Sequence, residues 1–293
     1  MNKRLRGSPI RRSTQVVLLF SIPFLFLCCL VAASRGFATP VRLDVPYVPT
    51  PHQVVEKMLE MADVQPTDFL IDLGSGDGRI AIAAVRDRGA RGAYGVDLNP
   101  ERVAEARANA DAEGVADRVT FEQGDLFETD LSGASVISMY LLPSVNMRLR
   151  PHLLELPPGT RIVSHAFDME DWAPDGFEEV GNLDVYLWII PEHVAGRWLL
   201  STPDGDVELS LSQQFQQLTG QAKAVGAGQA NASGQAGHNG AATVTGALRG
   251  DVIQFDVDDG SSTRRFVGHV RDDTISALPH AGAQQGWNAR RLD

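Results

Sequence analysis

Short apolar runs alternate with amphipathic segments along residues 52–190. Apolar side chains recur at helical spacing from Val54 to Ala62, which predicts a short amphipathic helix that ends before Pro66. The unbroken run Phe69–Leu73 follows and is typical of a strand buried on both faces of a parallel sheet. A glycine-rich turn and a helix over 80–88 come next, so this stretch predicts a strand, a tight turn and a helix.

The same unit repeats further along the chain. Strands are predicted at 93–96, 119–121, 135–140, 161–165 and 184–190, with a helix over 100–113. This alternation predicts an α/β fold with a doubly wound, Rossmann-like sheet, which we assign to residues 39–194. Ligands of such sheets bind beyond the carboxyl ends of the strands, where five polar side chains fall: Asp72, Asp97, Asp125, Tyr140 and His165.

The pattern changes after about residue 195. Short strand-like runs separated by turn residues predict a small antiparallel β module over 195–293. Within it, residues 220–246 are rich in Gly, Ala, Gln and Asn, and they are predicted to form a mobile loop or a turn that joins two strands. The module carries no evident catalytic group, which leaves two alternatives, recruitment of a substrate and stabilisation of the first domain.

A basic stretch and an apolar run precede the α/β domain. Residues 1–38 hold six Lys and Arg residues and no Asp or Glu, and the run from Val16 to Ala33 is interrupted only by Ser21 and Pro23. We interpret 1–38 as an export signal or, if it is not cleaved, as a membrane anchor through residues 16–33. The charge bias places the body outside the cytoplasm, in the periplasm or facing away from the cytoplasm, whereas in a eukaryote the leader suits a mitochondrial presequence.

Charge and cysteine content exclude several classes of function. The net charge is −11, and residues 39–293 carry 20 basic against 37 acidic side chains, so binding to nucleic acid is not expected. Both cysteines, Cys28 and Cys29, lie in the apolar run, which excludes a thiol nucleophile in the body. The seven histidines lack the spacing of metal ligands, so no metal site is predicted.

The glycine-rich turn, residues 74–78, is the first chemical signal. Its glycines let the backbone approach a ligand, and the helix that follows favours an anionic group such as a carboxylate. The spacing is G-x-G-x-G, which differs from the G-x-G-x-x-G of nicotinamide-binding folds and disfavours an oxidoreductase. No Lys-Ser/Thr follows, so the turn is not a phosphate-binding P-loop either.

Three carboxylates add to this signal. Asp72, just before the first glycine, can accept hydrogen bonds from an ammonium group. Asp97, at the tip of the second strand, is placed to accept both hydroxyls of a ribose. Asp125 follows the third strand, where it can accept from an adenine amino group. Together the three predict an aminoacyl nucleoside as the ligand.

On these residues the chain resembles the class I S-adenosylmethionine-dependent methyltransferases. Residues 72–78 are similar to their first motif, Asp97 to the ribose-binding acid, and residues 124–126 to the adenine-proximal motif. A closer resemblance, to the subgroup that includes the mitochondrial ATP synthase c-subunit lysine methyltransferases, rests on residues 46–51, 74–80 and 140–143. The resemblance covers residues 44–175. It implies S-adenosylmethionine as cofactor, a protein lysine as acceptor, and these cofactor-binding residues: Asp72, Gly74, Ser75, Gly76, Asp77, Gly78, Asp97, Asp125 and Leu126.

The acceptor side is predicted from position in the chain. Tyr140, Tyr47 and Thr50 are the candidate catalytic residues, the last two closing the pocket from the Pro-rich segment before the first helix. Tyr140, Phe167 and Trp172 are candidates for an aromatic wall that favours an alkylammonium, with simple core packing as the alternative for each. For His165 the alternatives are a substrate-orienting or basic role and a structural one, and for Asp77 and Arg79 a cofactor role and a helix-capping or solvated one. The alternative for the whole chain is a non-catalytic exported binding protein that reuses the fold.

Overall fold

A computed structural model describes residues 47–225 and 241–292. The predicted export signal over 1–38 and the anchor over 16–33 lie outside these residues. In the two described ranges, no helix has the length and apolar character needed to cross a membrane.

The α/β part is built around a seven-stranded sheet. Its strand order is β3-β2-β1-β4-β5-β7-β6. Strands β1 to β5 run parallel, whereas β7 is antiparallel to β5 and forms a hairpin with β6. The elements in chain order are α1 (His52–Met61), β1 (Phe69–Leu73), α2 (Arg79–Arg86), β2 (Gly92–Asp97), α3 (Pro100–Ala112), β3 (Val119–Gln123), β4 (Val136–Met139), α4 (Pro143–Leu153), β5 (Arg161–His165), β6 (Gly176–Val180) and β7 (Leu183–Ile189). This arrangement confirms the predicted fold class.

Helices cover both faces of this sheet. Apolar residues of α1, α2 and α3 form one core against the sheet, and α4 with Trp172 and Trp188 forms the other. The central strand β1 is therefore enclosed from both sides, which explains its unbroken apolar run. The strand order reverses between β1 and β4, and this reversal opens a crevice at the carboxyl edge of the sheet.

The C-terminal part is a closed antiparallel barrel. Its strands follow one another around the barrel in the order β10-β11-β12-β13-β14-β15-β8-β9. The interior is filled by apolar side chains, among them Trp198, Phe255, Phe266 and Trp287. The strands are β8 (Gly196–Thr202), β9 (Gly205–Gln214), β10 (Gln217–Ala224), β11 (Ala242–Arg249), β12 (Val252–Asp258), β13 (Thr263–Arg271), β14 (Thr274–Ala277) and β15 (Asn288–Arg291). The predicted β module is confirmed, and it closes into a barrel.

The predicted loop over 220–246 was too long at both ends. Strand β10 continues to Ala224 and β11 begins at Ala242, while residues 226–240 lie outside the described part. Two of the glycines in this stretch, Gly220 and Gly246, lie in strands and allow their neighbours to pack closely. A Cβ on Gly220 would lie 2.3 Å from the Ser210 carbonyl oxygen, and one on Gly246 would lie 2.4 Å from the Gln254 carbonyl oxygen.

Candidate functional site

A pocket opens at the carboxyl edge of the sheet, where the strand order reverses. It is lined by the predicted cofactor residues Asp72, Gly74, Ser75, Gly76, Asp77, Asp97, Asp125 and Leu126, and by the predicted acceptor-side residues Tyr47, Thr50, Tyr140 and Phe167. Residues separated by up to 120 positions in the sequence thus meet in one cavity. Three candidates, Gly78, His165 and Trp172, are not among its lining residues.

The glycine-rich turn, residues 74–78, passes under the pocket in a left-handed conformation. Gly74, Gly76 and Gly78 have φ angles of +76°, +54° and +81°. A Cβ on Gly76 would lie 2.6 Å from the Tyr47 ring, and one on Gly78 would lie 2.5 Å from the Phe121 ring. Gly78 is therefore required for packing behind the turn, which is why it does not reach the cavity that its motif position predicts.

Asp97 joins this turn to the second strand. Its Oδ2 accepts a hydrogen bond of 2.9 Å from the Gly76 amide, and its Oδ1 accepts one of 2.8 Å from the Asn99 amide. Each carboxylate oxygen has a further lone pair for a ligand hydroxyl. Asp97 therefore both fixes the turn and presents acceptors to the pocket.

Asp72 is buried with one oxygen free. Its side chain is 2 % exposed, and its Oδ1 accepts a hydrogen bond of 2.7 Å from the Ser138 hydroxyl, whereas its Oδ2 has no partner. Burial raises the pKa of Asp72 to about 7. A buried, unpartnered acceptor on a pocket wall is suited to a ligand donor, and an ammonium group supplies one together with the compensating charge.

This geometry predicts a pH dependence of cofactor affinity. A ligand ammonium favours the ionised carboxylate, so at pH 6, where the free protein holds Asp72 mostly protonated, binding must release a proton. We expect the affinity for S-adenosylhomocysteine to fall about tenfold for each pH unit below 7 and to level off above 8. Calorimetric titration in buffers of different ionisation enthalpy measures the released proton directly, and an equal heat in all buffers at pH 6 would contradict the assignment.

Asp125 and Leu126 line another wall of the pocket. They follow β3, and Asp125 Oδ1 accepts a hydrogen bond of 2.9 Å from the Phe127 amide. The Gly124 amide donates to the Asp97 carbonyl oxygen at 3.1 Å, which links this wall to the tip of β2. The carboxylates predicted to hold a ribose and an adenine thus lie on adjoining segments.

Asp77 and Arg79 form a bridge that sequence reasoning missed. Arg79 Nε donates to Asp77 Oδ1 at 2.9 Å, and Arg79 Nη1 donates to the Thr50 carbonyl oxygen at 2.8 Å. Burial by itself raises the pKa of Asp77, but hydrogen bonds from Arg79 and from the Tyr47 hydroxyl, together with the Arg79 charge, outweigh it and hold that pKa below its usual range. The pair thus ties residues 47–50, which we call the lead-in segment, to the glycine-rich turn.

The lead-in segment covers the pocket from the side of α3. The Arg102 guanidinium lies 4.7 Å from the centre of the Tyr47 ring, which itself packs against Gly76. Tyr47 remains 42 % exposed, whereas Thr50 at the other end of the segment is buried. One side of the pocket is therefore a strap of four residues held by Arg79 and Arg102.

Aromatic rings and a histidine build the acceptor end. The Tyr140 ring centre lies 3.9 Å from that of His165 and 6.1 Å from that of Phe167. Thr50 Oγ1 and His165 Nδ1 are 3.2 Å apart and share a hydrogen bond. Burial lowers the pKa of His165, so its ring is neutral at pH 7. His165 touches the lining residues Thr50 and Tyr140 from behind.

Trp172 does not form part of this aromatic wall, and of the two alternatives for it the structure supports core packing. Its side chain is fully buried in the core on the α4 face, with its ring centre 6.0 Å from Trp188 and 5.7 Å from Phe215. Its carbonyl oxygen accepts a hydrogen bond of 2.8 Å from the Trp188 indole, which also holds it in this core.

Comparison with known proteins agrees with this geometry. The family model described as ANTKMT methyltransferase domain matches residues 72–176. A protein-lysine N-methyltransferase of Saccharolobus islandicus is 49% identical over 154 residues, which are 51% of this chain and 96% of that protein. The mouse adenine nucleotide translocase lysine N-methyltransferase is 39% identical, and the match covers 50% of this chain and 66% of that protein. The human ATP synthase c-subunit lysine N-methyltransferase is 32% identical, with 51% and 64% covered.

A solved structure also matches. It is a crystal structure of an RNA methyltransferase from Salinibacter ruber in complex with S-adenosyl-L-homocysteine, 57% identical, covering 50% of this chain and 96% of that chain with a TM-score of 0.49. The sequence relatives confirm the resemblance inferred from the motifs.

Proposed function

Since the chain belongs to the S-adenosylmethionine-dependent methyltransferases, in the family of the protein-lysine N-methyltransferases, we propose that its acceptor is the ε-amino group of a protein lysine. The observation that carries the proposal is the 49% identity to a protein-lysine N-methyltransferase along 96% of that protein. The neutral, aromatic acceptor end of the pocket supports it. Neither observation supports the alternative of a non-catalytic binding protein.

The residues of the pocket fit the cofactor. The unpartnered Oδ2 of Asp72 suits the amino group of the methionine portion, and Asp97 suits the ribose hydroxyls. The partial positive charge at the N-terminus of α2 suits the carboxylate, whereas the amides of Gly74, Ser75, Gly76 and Gly78 in the turn already donate within the protein. When bound, S-adenosylmethionine supplies an electrophilic methyl carbon, whose bond to sulfur breaks as the bond to the acceptor nitrogen forms, with the electron pair left on sulfur.

The acceptor end favours a neutral amine. A lysine reacts only after it loses its proton, and an apolar wall lowers its pKa by disfavouring the charged form. The rings of Tyr140 and Phe167 offer apolar surface on which the alkyl chain of a lysine can pack. The chain contributes mainly alignment and exclusion of water, as a displacement at a methyl group needs no covalent intermediate.

A transfer assay with blocked and unblocked lysines tests the proposal. The full chain is incubated with methyl-labelled S-adenosylmethionine and a lysine-rich protein, and in parallel with the same protein after acetylation of its lysines. We expect label in the unblocked protein only, recovered as methyllysine after acid hydrolysis. Total RNA serves as a second acceptor, in which the acidic body predicts no label. Label that survives acetylation, or that enters RNA, would overturn the choice of lysine.

The location of the enzyme is a separate proposal. The basic and apolar pattern of residues 1–38 supports export, so that S-adenosylmethionine would have to reach the compartment where the body folds. Fusion of residues 1–38 to a reporter enzyme that is active only outside the cytoplasm tests it. We expect an active reporter, and a silent one would place the enzyme with its cofactor source.

A further inference from the structure

The barrel reaches the α/β part through a two-residue turn, Phe215–Gln216, between β9 and β10. The Phe215 ring stacks on Trp172 with centres 5.7 Å apart and planes 19° apart, and the Arg150 guanidinium of α4 lies 5.4 Å from the same ring centre. Beside it, the buried Gln216 donates from Nε2 to the Ala173 carbonyl oxygen at 2.6 Å. The barrel thus holds the segment that follows β5.

Phe215 keeps this contact in a strained backbone conformation. Its φ is +52°, in the left-handed region, where glycine or asparagine is favoured in two-residue hairpin turns. A bulky side chain is found in such a strained conformation where contacts with the surrounding structure offset the strain. The barrel offers an internal comparison, because Asp272 has φ +51° in the two-residue turn between β13 and β14, with its side chain exposed.

The segment held by Phe215 continues into the pocket. We call residues 167–172 the acceptor wall, since Phe167 lines the cavity and Trp172 stacks on Phe215. Arg150 donates to the Met169 carbonyl oxygen at 3.1 Å. Asn146, one helical turn earlier on α4, donates to the Phe167 and Asp168 carbonyl oxygens at 3.3 and 3.2 Å. Arg150 therefore connects the ring of Phe215 to the middle of the wall.

We propose that Phe215 is a positioning residue for methyl transfer, which acts by fixing the acceptor wall through Trp172 and Arg150. The barrel also packs at Gly250 against Gly159, but that contact lies at the amino end of β5, opposite the pocket. The turn at Phe215 is thus the contact that bears on the acceptor. The part of this proposal that concerns acceptor kinetics rests on the proposed function, which is methyl transfer to a lysine.

The test compares three full-length variants. Phe215→Gly removes the ring and relieves the strained φ, so the barrel is expected to stay folded. Asp272→Gly relieves the same strain in a turn away from the pocket and serves as the matched control. Phe215→Tyr keeps the ring and is expected to behave as the wild type. Hydrogen exchange of residues 166–173 is measured without acceptor, followed by kcat and KM for the lysine-rich protein and by affinity for S-adenosylhomocysteine.

We expect exchange of residues 166–173 to accelerate about tenfold in Phe215→Gly alone. The KM for the acceptor is expected to rise about tenfold in that variant, while the affinity for S-adenosylhomocysteine stays within twofold, because Asp72 and Asp97 are untouched. Equal exchange in the Phe215 and Asp272 glycine variants, or faster exchange with unchanged acceptor kinetics, would overturn the proposal. If the wild type methylates no lysine, the proposed function fails, and the exchange comparison alone decides whether Phe215 fixes the wall.

Discussion

Asp72→Asn is expected to make the free protein more stable while it weakens cofactor binding by at least a hundredfold. The folded pKa of Asp72 is about 7, above the value near 3.9 of an exposed aspartate. Between these two pH values the folded state keeps the proton that the unfolded chain has lost, so this group lowers stability as pH rises from 4 to 7. Asparagine carries no such proton and can still accept from Ser138. The gain at pH 8 is expected to lie between about 1 and 4 kcal/mol.

Urea unfolding at pH 4 and pH 8, together with titration of S-adenosylhomocysteine, measures both effects. The matched control is Asp68→Asn, because Asp68 also has little solvent exposure but is ion-paired with Arg161 and accepts a hydrogen bond from the Ser135 hydroxyl at 2.8 Å. There burial raises the pKa, but hydrogen bonds from Arg161, the Gln65 amide and the Ser135 hydroxyl, together with the Arg161 charge, outweigh it and hold the pKa below the usual range. Loss of that charge should therefore destabilise the protein. A stability gain for Asp72→Asn that does not grow between pH 4 and pH 8 would refute the account.

Asp97→Ala is expected to reduce the affinity for S-adenosylhomocysteine by a hundredfold or more. The change removes two acceptor oxygens from the ribose position and also releases the Gly76 amide, which Asp97 Oδ2 holds at 2.9 Å. Charged hydrogen bonds contribute about 1.5–3 kcal/mol each, and two of them account for the effect. Calorimetry on the folded variant measures it.

A suitable control for Asp97 is Asp130→Ala. Asp130 Oδ1 accepts a hydrogen bond of 2.9 Å from the amide of Ser132, two residues further on, as Asp97 Oδ1 does from the amide of Asn99. Asp130 does not line the pocket. We expect the control to bind as the wild type does. An affinity within threefold of the wild type in Asp97→Ala would remove Asp97 from the cofactor site.

Much of the α/β fold followed from local pattern because its central strands are enclosed. Strand β5 was predicted with the bounds that the structure has, since the β-branched residues Ile162 and Val163 at its centre follow the turn residues Pro-Pro-Gly at 157–159. Strand β6 has the sequence GFEEV with its three central side chains exposed, and no apolar alternation marks it. Closure of the barrel was equally hidden, because it depends on β15 pairing with β8, from Asn288 to Ser201, nearly 90 residues away.

Part of the candidate site could likewise be predicted from the sequence, and part could not. Asp72, Asp97 and Asp125 could be grouped in advance because parallel strands end at one edge, and all three line one pocket. The bond between Thr50 and His165 joins residues 115 positions apart and has no sequence signal. No sequence motif predicts the hydrogen bond from Arg79 to the Thr50 carbonyl oxygen, because that contact forms only when the lead-in segment has folded over the glycine-rich turn.

The lead-in segment has a consequence for how the two substrates influence each other's binding. Tyr47 at one end rests on the turn that faces the donor, and Thr50 at the other end reaches His165 beside the acceptor. Four residues therefore form a wall common to both substrates. The substrate that binds first orders this wall, so the second substrate binds to a wall that is already ordered. By thermodynamic linkage, each substrate raises the affinity of the protein for the other by the same factor. The two substrates of this enzyme are thus expected to bind with positive cooperativity, of the same size whichever binds first.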